Sequence, residues 1–115
     1  MMEQKVFRLL LTAEADHFLL SLPPKVADKI RYNIRRVQKG ERDNEIFKKL
    51  GDTEIWEFRT LYNKIKYRLF AFWDTQNETL IIATHGIVKK TQKTPQKEIT
   101  KALEIRKQYF DNKKQ

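Results

Sequence analysis

From Lys64 to Asp74 (KIKYRLFAFWD) the chain alternates with a period of two, a pattern that no helix accommodates. Ile65, Tyr67, Leu69, Ala71 and Trp73 fall on one face of a strand, and Lys66, Arg68, Phe70 and Phe72 on the other. Strand-like segments flank it. Glu54 to Thr60 alternates imperfectly, with Trp56 and Phe58 on one side and Glu57 and Arg59 on the other. Glu78 to Val88 is almost continuously apolar, as a central strand should be. The connections Leu61-Tyr62-Asn63 and Thr75-Gln76-Asn77 are too short for anything but hairpins, so the three strands form an antiparallel meander. Gly86, late in the third, marks a bulge or a close backbone approach.

Ahead of the meander, residues 4–11 (QKVFRLLL) read as a strand, and Thr12 caps a short helix through Leu20. Pro23-Pro24 starts a second helix. In it Val26, Ile30, Ile34 and Val37 share one face, Lys25, Lys29, Arg31, Arg35, Arg36 and Lys39 lie opposite, and Gly40 ends it. The two helices are expected to pair as a hairpin. After the meander, Thr94 as cap and Pro95 in the first turn open a last helix whose inner stripe is Ile99, Ala102, Leu103 and Phe110. The order implies one α+β domain over residues 1–115, a four- or five-stranded sheet with helices mainly on one face and a concave polar surface on the other.

The chain carries 24 Lys and Arg against 15 Asp and Glu, a formal net charge of +9. From His85 onward nine basic residues face three acidic ones, so +6 of that +9 lies in the last quarter. A localised excess of this kind suits a polyanion, nucleic acid above all, better than a merely soluble surface. There is no Cys, which excludes disulfides, thiol catalysis and Cys-ligated zinc. His17 and His85 are the only histidines and carboxylates at ligand spacing are lacking, so no metal or cofactor is expected. The amino-terminal apolar run is broken by Arg8 and meets Glu14 and Asp16, unlike a signal peptide. No stretch approaches the roughly 18 apolar residues of a membrane span, so a soluble, cytoplasmic protein is expected.

Three basic segments converge if the meander is right: the sheet residues Arg59, Lys66 and Arg68, the stretch His85 to Lys93, and the loop Phe47-Lys48-Lys49-Leu50-Gly51-Asp52. Arg59 and Arg68 side by side, rimmed by Lys48, Lys49, Lys89 and Lys90, repel one another unless phosphates neutralise them. The competing reading pairs each arginine with Glu54, Glu57 or Asp74.

Lys49-Leu50-Gly51-Asp52, Glu57-Phe58-Arg59, Tyr67-Arg68-Leu69-Phe70 and above all His85-Gly-Ile-Val-Lys-Lys-Thr-Gln-Lys-Thr-Pro95 resemble, in that order, motifs of the phage-derived subgroup of the HigB/RelE/ParE toxins. The tail match spans eleven positions, and the resemblance covers about residues 5–110. It implies a RelE-like fold and a type II toxin that cuts messenger RNA on the ribosome and is held in check by an antitoxin, often with a helix-turn-helix domain. Metal-free RNA cleavage uses the ribose 2′-hydroxyl as nucleophile, so the protein must remove a proton, stabilise a pentavalent phosphorane and protonate the 5′-oxygen. On that basis Arg59 and Arg68 are assigned to the transition state. Lys89, Lys90 and Lys93 bind phosphate, with Lys89 or Lys90 able to move a proton, and His85 is the candidate acid or base. Lys48, Lys49 and Lys66 contact RNA, and Phe70 stacks on a base.

Each role has a plainer competitor. His85 among apolar residues equally suits a hydrogen-bonded core histidine, His17 reads as structural or solvent-exposed, and Tyr67, Trp56 and Trp73 read as core. The basic face of the second helix is a solvated surface or a grip on ribosomal RNA. The chain departs from the family pattern in having no Tyr between Tyr67 and Tyr109, with Phe70 where some relatives carry an aromatic hydroxyl. Two other functions fit the scaffold: a ParE-like inhibitor of DNA gyrase and a non-catalytic, nucleic-acid-binding phage regulator.

Overall fold

Proline at the first turn, apolar residues at spacings of four, four and three, and a glycine at φ 98° make the second helix self-defining. It is α2, Pro24–Gln38, and it buries Val26, Ile30, Ile34 and Val37 against the sheet. In the computed structural model residues 6–90 and 93–114 are described. Gln4 and Lys5 of the expected first strand, and Thr91 and Gln92 of the basic tail, lie outside the described residues. The remaining elements are β1 (Arg8–Leu11), α1 (Ala13–Ser21), β2 (Phe47–Lys49), β3 (Trp56–Tyr62), β4 (Ile65–Trp73), β5 (Leu80–Lys89) and α3 (Gln96–Lys113). One five-stranded sheet runs β1-β5-β4-β3-β2, with β1 parallel to β5 and every other pair antiparallel.

The alternation of β4 is realised residue for residue. Tyr67, Leu69 and Ala71 join Phe7, Phe58, Ile81 and Ala83 in a core under α1 and α2. Phe70 and Phe72 join Ile55, Ile82 and Ala102 in a second core under α3. Two helices lie on one face, in keeping with the expectation of helices mainly on one side, and α3 on the other, so that the opposite face is not left wholly open and polar. The α3 stripe of Ile99, Ala102, Leu103 and Phe110, with Tyr109, covers Phe70, Phe72 and Ile82 on the face expected to be open. Asp74, at the end of β4, anchors the far end of that helix. It accepts hydrogen bonds from Tyr109 Oη at 2.5 Å, Lys113 Nζ at 2.6 Å and the backbone N–H of Gln76 at 2.8 Å. Burial pushes this carboxyl up, and those donors outweigh it, holding it at about 2.

Local boundaries differ for identifiable reasons. The β3–β4 turn is the two-residue Asn63-Lys64, both at positive φ as a tight hairpin demands, rather than Leu61–Asn63. The supposed loop at Phe47 is an edge strand, because Phe47 pairs with Phe58 and stacks on Trp56 at 4.7 Å. Thr12 caps α1 as expected, accepting from Ala15 N–H. Thr94 does not cap α3, since its hydroxyl donates to Glu57 Oε2 at 3.1 Å. The hydroxyl of Thr12 donates to the Thr84 carbonyl, fixing the start of α1 to β5. At Gly86 any Cβ would sit 2.2 Å from the Phe18 ring, so this glycine is the close approach of α1 to the sheet. The bulge lies two residues earlier.

Candidate functional site

That bulge decides what β5 presents. Phe70 pairs with His85 and Ala71 with Ala83, which leaves Thr84 as an extra residue. Before Thr84 the even residue Ile82 faces α3; after it the odd residues His85, Ile87 and Lys89 do. Cross-strand register then lays out three rows on one sheet face: Glu57–Phe70–His85, Arg59–Arg68–Ile87 and Leu61–Lys66–Lys89. Two adjacent rows place like charges directly opposite, Arg59 against Arg68 and Lys66 against Lys89, an arrangement that destabilises a sheet unless something compensates.

Compensation comes from one carboxylate. Glu57 is buried, and its Oε1 lies 3.5 Å from both Arg59 Nε and Arg68 Nε. Both Nε atoms are buried without a hydrogen bond, so the contact is Coulombic. One terminal nitrogen of each is otherwise used: Arg59 Nη1 donates to the Asn44 carbonyl at 2.9 Å and Arg68 Nη1 to that of Tyr67 at 3.1 Å. The carboxylate pairing considered from sequence is thus half realised, two guanidiniums sharing one acid. Arg68 is 5% exposed, and burial followed by the Arg59 charge lowers its pKa against the pull of Glu57. Lys89 is 8% exposed. Burial, then Arg68, then Arg59 and Lys66 lower its pKa, with Glu57 opposing. Two arginines and two lysines over a single carboxylate leave a concentrated positive patch suited to a phosphodiester.

Not every expected residue joins it. Lys48 pairs with Glu57 in register and shares this face, exposed at the sheet edge. Lys49 pairs with Trp56 and falls on the opposite face, a correction that follows from strand alternation. Lys90 is exposed just beyond β5, and Lys93 is exposed ahead of α3. Phe70 is 0% exposed and lies 4.9 Å from the His85 ring, so it has no free face for a base. His85 is 2% exposed: its Nδ1 meets Thr84 Oγ1 at 2.9 Å and its Nε2 meets Glu98 Oε1 at 3.2 Å. Burial, then Lys101, lower its pKa, with Glu98 opposing. With both nitrogens engaged and the ring buried, His85 bolts the sheet to α3, which corrects its expected role as acid or base. Glu57 was missed as a site residue, although its place two residues before Arg59 in an alternating strand put it on the same face. Among the described residues no cluster of three or more His, Asp or Glu could hold a metal ion, and no helix is long and apolar enough to cross a membrane.

Comparison with known proteins bears on the fold and the family. Residues 17–107 match the family described as phage derived protein Gp49-like (DUF891). The free state of an E. coli RelE toxin carrying two arginine-to-alanine substitutions superposes with a TM-score of 0.61 at 15% identity, over 87% of this chain and 96% of that one. One chain of the RelBE2 toxin–antitoxin complex from Mycobacterium tuberculosis gives a TM-score of 0.49 at 18% identity, over 72% of this chain and 98% of that one. No curated protein matches in sequence. The rows of arginine and lysine thus stand on a RelE fold, and the chain belongs to the phage-derived Gp49-like family.

Proposed function

We propose that this chain is the toxin of a type II toxin–antitoxin system and acts as a metal-independent endoribonuclease on messenger RNA at the ribosome. The observation that carries the reading is the pair of like-charged rows, Arg59–Arg68 and Lys66–Lys89, gathered over the single carboxylate of Glu57. Such a patch is costly when empty and is relieved by a phosphate whose charge grows on the way to the phosphorane. The ribose 2′-oxygen attacks the adjacent phosphorus, the P–O5′ bond breaks, and the products are a 2′,3′-cyclic phosphate and a 5′-hydroxyl. Arg59 and Arg68 stabilise the charge on the phosphorane oxygens, and Glu57 holds the two guanidiniums in place. With His85 sequestered, Lys89 is the proton carrier, because its ammonium loses a proton more readily than an ordinary lysine. Lys48, Lys66, Lys90 and Lys93 steer and hold the RNA backbone. The cognate antitoxin, a helix-turn-helix protein in the resemblance, would cover this face.

Induced expression in bacteria should arrest growth and create new transcript 5′ ends, and Arg68→Ala should suppress both, with Lys89→Met as a second variant. Growth arrest with intact transcripts and inhibited DNA supercoiling would instead identify a gyrase poison. RNA binding with neither arrest nor cleavage would identify a regulator.

A further inference from the structure

On the other face of the sheet, beyond the end of α2, lies a half-open cavity of about 460 Å³. That is within the range of about 300–1,000 Å³ typical of small-ligand pockets. Phe47, Trp56 and Trp73 form its aromatic wall, and Arg42, Asp43 and Asn44 its rim. We propose that it receives one unstacked nucleobase of the single-stranded RNA whose phosphate is held by Arg59 and Arg68; the inference rests on the cleavage reading and adds a base-binding site to it.

Three observations converge. First, the wall is built for a flat ring: Phe47 and Trp56 stack at 4.7 Å and 20°, and both tryptophans are half-buried. Second, polar side chains stand beside the aromatic wall. Asp43, Asn44 and Arg42 bring polar side chains to the lining, and Asp43 accepts from the Glu45 N–H through one carboxylate oxygen. Donors and an acceptor around an aromatic slot match the edge of a base, whereas a purely apolar occupant would leave them unpaired. Third, the cavity connects to the basic rows around a free sheet edge. The rim residue Asn44 accepts from Arg59, and on β2 the exposed Lys48 faces the Arg59 side while exposed Lys49 faces the Trp56 side. Lysines on both faces of an edge strand give a polyanion a continuous path from one side of the sheet to the other.

The test uses the chain's own fluorescence, because Trp56 and Trp73 are its only tryptophans and both line this cavity. The full chain is titrated with a short single-stranded RNA made uncleavable by 2′-O-methylation, and with an abasic strand of equal length, reading tryptophan emission and anisotropy of a labelled strand. Saturable quenching by the base-bearing strand, absent with the abasic one, and a base-bearing affinity about tenfold higher, are expected. Trp56→Leu should close that gap, and quenching of the wild type by nucleoside monophosphates but not by ribose 5-phosphate supports the site without any variant. Anisotropy binding without a fluorescence change overturns the base pocket and leaves the cleavage reading standing. Emission that responds to arginine amide but not to RNA makes the cavity a protein-docking site and also overturns it. No binding of either strand overturns the base pocket, while the cleavage reading stands or falls on the transcript 5′ ends.

Discussion

One face of the sheet carries two halves of opposite character a few residues apart on the same strands. Phe70, Phe72, Ile55 and Ile82 are sealed beneath α3, while Arg59, Arg68, Lys66 and Lys89 lie just past its reach. Alternation treats both halves alike, since every one of these β4 residues has the same parity. What separates them is the border row, Glu57–Phe70–His85, in which Thr94 ties Glu57 and Glu98 ties His85 to the α3 segment. The same helix that dries one half ends the apolar surface sharply enough to leave the other for charge.

This contrast can be broken or sharpened by substitution. Phe72→Ala in the dry half should lose about 3–5 kcal/mol of stability in denaturant titration, because a fully buried ring is removed. A loss below about 1 kcal/mol would mean that α3 does not seal a core there. Arg68→Ala in the charged half should lower the cleavage rate about 10²-fold or more in a primer-extension time course, with a smaller stability change than Phe72→Ala. On the border, His85→Gln should cost about 1–3 kcal/mol at neutral pH yet leave cleavage largely intact. The sign of its pH dependence follows from the lowered histidine pKa. The unfolded chain takes up its proton first, so wild-type stability is fully present above about pH 6.5 and declines below it. The decline stops only where the folded ring protonates too; the variant should lack this slope in midpoints measured between about pH 7 and 5. Lys66→Gln should have the smallest effect, a gain below about 1 kcal/mol from relieving the pair with Lys89. The same change should reduce the salt dependence of RNA binding by about one unit of slope.

The amphipathic helix α2, both faces of β4 and the meander were legible because each is a periodicity written over many residues. Arg59, Arg68, Lys66 and Lys89 could be assembled on paper for the same reason. The sealing of Phe70 and His85 could not, since it depends on α3 crossing to the second face, and a helix stripe does not say which surface it will cover. Gly86 hinted at a bulge or a close approach in β5, but the nearly continuous apolar run did not say that the extra residue is Thr84, because a change of face in such a run leaves little mark. Glu57 was visible but was weighed only as a rival to the phosphate, whereas it serves as the shared counter-ion of both arginines.

The extra residue at Thr84 makes β5 a matter of counting. Deleting it would restore strict alternation and turn Lys89 toward α1 and α2, while Gly86 would leave the Phe18 ring without its notch. Almost any apolar substitution upstream keeps the strand's orientation, yet a single lost codon would turn its second half inside out. In this segment, length is guarded more strictly than composition.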